Sequence, residues 1–298
     1  MPKAPGPLWN GEPLEGRSIL LHAEQGNGDV LHFVRYAPLV AQRGGQVRLA
    51  VHSGLRRLME RIPGLLSVHN LHDPLPVTDL HCPLLSLPRA FRTGLDSIPA
   101  HMPYLTADPA DVERWRTRLP ADGRLRVGLV WSGDPRPHSP KANAVDRRRS
   151  LTLDDFAPLG AIDGAAERIA FDSLQKGSAA QAEDPPNGLA LIDRMDEIGD
   201  FADTAALITG LDLVTTVDTS VAHLAGGLGK PVWVLSRFGG CWRWLTNRDD
   251  SPWYPTLRLF HQPEPGSWAP VVASVARELE ALAAGLKGRC APSSNGSA

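Results

Sequence analysis

Four times along its 298 residues this chain repeats one local pattern: a short apolar run breaks abruptly into glycine, hydroxyl, amide or carboxylate residues. "SILLHA" (18–23) runs into "EQGNGD" (24–29), "LRVGLVW" (125–131) into Ser132-Gly133, "RIAFDSL" (168–174) into "QKG", and "DLVTTVD" (212–218) into Thr219-Ser220. Short apolar runs bounded by such residues read as buried strands, and helical spacing follows the first and the last of them. Strands alternating with helices imply a parallel sheet with right-handed crossovers. In an open parallel sheet, ligands sit beyond the carboxyl ends of the strands. The polar residues directly after each run are therefore the candidates for chemistry.

The pattern falls into two groups. The first alternation is strand 18–23, a helix over Asp29–Arg43 stopped by Gly44-Gly45, strand 46–51, a short helix 54–62 and strand 65–71. Residues 79–91 add a short strand and loop at the sheet edge, and 111–119 a helix. "PADGR" (120–124) reads as a linker. The second alternation is strand 125–131, a long polar loop over 132–150, a helix from 151 to 160 with Thr152 as N-cap, and strands 168–174 and 189–194. A helix 200–211, strand 212–218, helix 219–229, strand 231–236 and a long helix 268–286 complete it. A chain of this length exceeds one ordinary core, which agrees with two consecutive α/β halves. The 27 prolines and 28 glycines punctuate short elements, as such a fold needs.

The formal net charge is −2, so nothing in the charge balance points to a nucleic-acid surface. The three cysteines, Cys82, Cys241 and Cys290, lie far apart with no CxxC pair. That argues against a zinc site or a disulfide framework and fits a reducing cytosol. The first sixteen residues are rich in Pro and Gly and carry no apolar signal core. No apolar run reaches the ~20 residues that span a bilayer. The expectation is a cytoplasmic protein without a membrane span, with peripheral membrane contact left open.

Each candidate stretch has a plain reading beside the chemical one. Gly26 and Gly28 permit positive φ and close backbone approach, and Asp29 either caps the following helix or acts on a ligand. Asp218, Thr219 and Ser220 precede a helix whose free amides suit phosphate, and His223 lies one turn further on. The same residues serve equally as an N-cap with a surface histidine. Ser132-Gly133 opens a basic loop in which Arg147, Arg148 and Arg149 can clamp a diphosphate, or form a solvated charge run. Lys176 reaches out beyond its strand. Trp242, Trp244, Trp253 and Tyr254 cluster with Arg243 and Asp250, and read mainly as local packing under a loop.

"NGDVLHFVRYAPL" (27–39) resembles the glycine-Asp loop that opens the heptosyltransferase-like glycosyltransferases of family 9. "VDTSVAHLAGGLGKPVWVL" (217–235) is similar to their nucleotide-sugar motif, Asp-Thr-x-x-x-His followed by a Lys-Pro turn and a strand. Residues 17–284 resemble, more narrowly, the glycosyltransferase domain that follows tetratricopeptide repeats in many bacterial proteins. There, segments like "WRW" and "DDSPWYPTLRLFHQ" (249–262) recur.

The resemblance implies an α/β GT-B fold: two Rossmann-like domains facing across a cleft. It divides the chain into an irregular linker 1–16, an acceptor-side domain 17–122 and a nucleotide-sugar domain 123–267. Helix 268–286 returns to brace the first domain; the small, polar composition of 287–298 reads as a disordered tail. The resemblance implies inverting transfer without a metal, and no cofactor beyond the nucleotide-diphosphate sugar that serves as donor. Asp29 matches the general base. Ser132, Gly133, Arg149 and Lys176 fall on the donor side. Asp218, Thr219, Ser220 and His223 match contacts to diphosphate and sugar. The absence of an Asp-x-Asp motif agrees with a metal-free mechanism. Asn27 departs from the bulky aliphatic residue usual at its position. The repeats that commonly choose the acceptor are not in this sequence, so the acceptor stays open among saccharide, lipid-linked glycan and protein. Two alternatives to a transferase are a degenerate module of the same fold that binds a nucleotide sugar or a partner, and a sugar-nucleotide epimerase.

Overall fold

A computed structural model describes residues 6–177 and 184–290. It contains two parallel sheets. In the first, β1 (Ser18–His22), β2 (Gln46–Val51), β3 (Leu65–Asn70) and β4 (Leu80–Pro83) lie in the order β3-β2-β1-β4. The second holds β5 (Leu125–Val130), β6 (Ile169–Ser173), β7 (Leu191–Ile192), β8 (Leu213–Val217), β9 (Val232–Ser236) and β10 (Leu257–His261). Their order is β10-β9-β8-β5-β6-β7. Every pairing between these strands is parallel. β5, β6 and β8 are buried along their whole length, as strands covered on both faces must be. In each sheet the strand order reverses once, beside β1 in the first and between β5 and β8 in the second. A reversal leaves a crevice at the carboxyl ends, where ligands bind.

The helix expected over 29–43 is broken. It runs Asn27–Phe33, tightens through Val34–Tyr36, and resumes as Ala37–Ala41. Pro38 lacks an N–H and its ring opposes the carbonyl four residues back, so a continuous helix cannot pass it. The expected loop 132–150 contains a helix, Pro140–Arg149. It has no apolar stripe to betray it, and is tied down by an Asp146–Arg149 ion pair at 2.9 Å.

The last helix, Ala269–Cys290, does not return to the first half. Val271, Val272, Val275 and Leu279 pack into the core of the second sheet, among Leu125, Val127, Leu213, Phe156 and Phe260. The helix leaves from the edge strand β10 and closes over the sheet it left. It continues through 287–290, where a disordered tail was expected; 291–298 lie outside the described residues. Residues 6–16 are irregular but anchored, with Leu8 bridging to His81 beside β4 and Trp9 and Leu14 buried. β10 lies in the stretch read only as an aromatic cluster. Among the described residues no helix is long and apolar enough to cross a membrane.

The halves share one core, into which helices Asn27–Phe33 and Ser220–Gly227 both contribute. Tyr254 joins them: its hydroxyl lies 2.9 Å from Nδ1 of both His32 and His223. The phenol can donate to one ring while accepting from the other. Buried Arg35 sits with its guanidinium 4.5 Å from the ring centres of Tyr104 and Tyr254, and donates to the carbonyls of His32 (2.8 Å) and Trp253 (2.7 Å). The small residues of the second helix serve this junction. A Cβ on Gly226 would come within 2.5 Å of the Tyr254 ring, and one on Gly227 within 2.6 Å of Leu105.

Candidate active site

The carboxyl ends of β1, β5, β6 and β8 open onto one cleft of about 1240 Å³. Every residue singled out from the sequence as a site candidate lines it: Gly26, Gly28, Asp29, Ser132, Gly133, Arg149, Lys176, Asp218, Thr219, Ser220 and His223.

On the first wall, neither glycine uses positive φ. Gly26 is extended at φ −74° and Gly28 is helical. Gly28 matters for room, since a Cβ there would lie 3.2 Å from the His223 ring and 3.4 Å from the Ser220 Cα. Asp29 does cap its helix: its Oδ2 accepts from the Gly26 amide at 3.1 Å. Its Oδ1 pairs with Arg243, which reaches across from the loop after β9. Glu24 stands nearby, pushed up from the usual carboxylate range by burial first and by the Asp29 charge last, against a bond from the Leu85 amide. Asn27 begins the helix, and its Oδ1 is buried with no partner among the described residues.

On the second wall, Thr219 is the N-cap of helix Ser220–Gly227, accepting from the Val221 amide at 3.3 Å. Burial raises the Asp218 carboxyl, against the opposing pull of Arg149 and Arg243. Burial drives His223 well below the ordinary imidazole value, so the ring is neutral at pH 7. It stacks on Trp244 at 5.3 Å. Of the three consecutive arginines, Arg149 alone lines the cleft. It donates to the Asp218 carbonyl at 2.7 Å and to Asp146 at 2.9 Å. Lys176 folds onto the Ile198 carbonyl. Positive charge thus gathers on this side from Arg136, Arg149, Lys176, Arg237 and Arg243, and amides at a helix N-terminus add to it.

No family model matches the chain. It is 26% identical over 306 residues to the protein FlbA of Caulobacter vibrioides, covering 94% of this chain and 49% of the relative. The chain therefore spans about half the length of that curated relative. Among solved structures it is similar to a family 9 glycosyltransferase from Veillonella parvula, with a TM-score of 0.63 at 10% identity over 93% of this chain and 99% of that one. It is also similar to E. coli ADP-heptose lipopolysaccharide heptosyltransferase II, with a TM-score of 0.59 at 13% identity over 92% and 100%. A third is the E. coli heptosyltransferase WaaC with ADP, at 0.53 and 13% over 88% and 99%. The chain has the GT-B fold of these glycosyltransferases.

Several residues of this GT-B cleft escaped sequence reasoning. Buried Gln175 ties the ends of β5 and β6 together: its Oε1 accepts from the amides of Trp131 (3.0 Å) and Ser132 (2.9 Å), and its Nε2 donates to the Ser132 carbonyl at 3.0 Å. It stands next to Lys176, and only its lack of charge hid it. Arg237 follows β9 outside the stretches singled out, and Arg243 was hidden by sitting among aromatics, where packing was the simpler reading. That reading holds for Trp244, Trp253 and Tyr254, which are buried, and not for Arg243.

Proposed function

We propose that the chain is an inverting, metal-independent glycosyltransferase that moves a sugar from a nucleotide-diphosphate donor to an acceptor hydroxyl. One juxtaposition carries this reading: a carboxylate on the helix that follows β1 lines a single cleft together with a helix N-terminus and a set of basic side chains beyond the ends of β5, β6 and β8. Inverting transfer needs those two things on opposite sides of the sugar. Asp29 takes the proton of the acceptor hydroxyl as its oxygen attacks the anomeric carbon from the open face. The bond to the nucleoside diphosphate breaks on the other face, and the leaving oxygens take the electron pair. Arg149, Lys176 and the Ser220 end of the helix supply positive potential for that charge. The side chains thus cover the role a bound cation plays elsewhere. His223, neutral, is suited to hydrogen bonding rather than to charge pairing.

The reading requires one class of nucleotide sugar to bind in the cleft. A thermal-shift screen against ADP-, UDP-, GDP-, dTDP- and CMP-sugars tests it, with ADP-sugars first because a fold neighbour was solved with ADP. Stabilisation by one class supports a donor site, and no shift from any removes it. The engagement of Asp29 with Arg243 and with its own helix favours one rival, a module of this fold that binds a nucleotide sugar without transferring it. Slow hydrolysis of the bound donor, lost in Asp29→Asn, decides for the enzyme.

A further inference from the structure

Arg243 is not used in the scheme above, yet it lines the cleft and reaches from the second half to Asp29. It enters on the turn Trp242–Trp244. Its guanidinium lies 4.7 Å from the Trp242 ring centre and 5.6 Å from that of Phe33. One terminal nitrogen pairs with Asp29. The other meets the Cys241 thiol at 3.3 Å, a weak acceptor, and Nε is buried with no partner among the described residues. A group with five donors thus has one strong partner. Arg243 shares the cleft with Asp218 and His223, and its charge lowers the Asp218 carboxyl against the effect of burial. Asp29 does not depend on it for position, because the Gly26 amide holds the other carboxylate oxygen at 3.1 Å.

We propose that Arg243 is a donor-binding residue that masks the base: before the donor arrives it holds Asp29, and on arrival its guanidinium transfers to the diphosphate and leaves Asp29 free to take a hydroxyl proton. A guanidinium fork suits two phosphate oxygens better than one carboxylate oxygen, and the under-used nitrogens gain acceptors in the exchange. The inference rests on reading this cleft as a nucleotide-diphosphate site.

The exchange makes Asp29 and the diphosphate competitors for one group, which a double-mutant cycle detects. Binding of ADP, UDP, GDP and dTDP, with the matching monophosphates, is measured by titration calorimetry on the wild-type chain, Asp29→Asn, Arg243→Gln, Arg243→Lys and the double variant. Removing the competitor should tighten the best diphosphate roughly three- to tenfold in Asp29→Asn, and Arg243→Gln should weaken it about tenfold, with Arg243→Lys between. The double variant should match Arg243→Gln alone, and monophosphates should change little. A gain in Asp29→Asn that persists in the Arg243→Gln background reflects the lost negative charge alone and overturns the exchange. So does a diphosphate affinity that Asp29→Asn leaves unchanged or weakens; this readout uses no arginine variant and is safe from misfolding at Arg243. If no diphosphate binds the wild-type chain, the donor-site reading itself fails and the inference with it.

Discussion

The two walls of the cleft hold their charges by different means. The second wall is self-contained: Arg149 is fixed by Asp146 and the Asp218 carbonyl, Gln175 brackets the ends of β5 and β6, and Thr216 Oγ1 lies 3.1 Å from that of Thr219. The first wall is a seven-residue helix with one functional acid, whose ion-pair partner is borrowed from the other side. Local chemistry alone gives Asp29 a capping role; its charge partner in the cleft comes from the opposite half. The difference implies that the donor corner keeps its shape when the first wall is altered, whereas the first wall's chemistry depends on the second.

The largest effect that can break this asymmetry is on turnover. Asp29→Asn keeps an oxygen for the Gly26 amide but removes the base, and should lower transfer by about 10²–10⁴-fold while nucleotide binding is not weakened. Retained turnover removes Asp29 as base; lost binding shows that the second wall is not self-contained. The junction beneath both walls gives the next effect. His32 and His223 are buried and held well below 6.5 by desolvation, with nearby arginine charge acting the same way. The unfolded chain binds a proton on each below pH 6.5 and the folded chain does not. Their contribution to stability is therefore complete above pH 6.5 and is lost as pH falls toward the depressed folded values, at up to about 1.4 kcal/mol per unit for each ring. Urea unfolding at pH 7.5, 6.5 and 5.5 should show the loss set in below 6.5; histidine-dependent loss that begins on the alkaline side contradicts the assignment. Tyr254→Phe then removes the hydroxyl shared by both rings and should cost about 2 kcal/mol, since two buried ring nitrogens lose a partner. An unchanged urea midpoint would show that the hydroxyl shared by the two rings contributes nothing to the junction, which then rests on apolar packing and on contacts such as Arg35 to the Trp253 carbonyl.

Much of the fold was legible because it is written in apolar runs. Nine of the ten strands among the described residues were anticipated, and even the short β7 fell inside the expected 189–194. The exceptions share a cause. β10 is disguised by the tryptophans and charges before it, and helix Pro140–Arg149 has a polar sequence stabilised by an ion pair instead of an apolar stripe. The final helix was legible as a helix but not in its destination, because an apolar face does not say which sheet it covers. At the site, the residues singled out after each strand all line the cleft. Spacing could not show that Arg243, 214 positions from Asp29, completes the same constellation, because that contact exists only once both sheets are folded.

The smallest expected effect isolates the second wall. A Cβ at Gly133 would fall 2.1 Å from Asp146 Oδ1 and 2.3 Å from Arg149 Nη2. Both are side-chain ends, so Gly133→Ala displaces the Asp146–Arg149 pair before it strains any backbone. Arg149 then loses the geometry that directs it over the Asp218 carbonyl, and the diphosphate should bind about tenfold more weakly, equivalent to ~1.4 kcal/mol. The Asp29–Arg243 contact lies on other elements, so the tightening expected from Asp29→Asn should survive in the Gly133→Ala background, and the two changes should add. Calorimetry on the four proteins of that cycle checks it. Additivity means that Arg149 and Arg243 act on the diphosphate separately. Strong coupling means that the two walls form one electrostatic unit, and the contrast between them disappears.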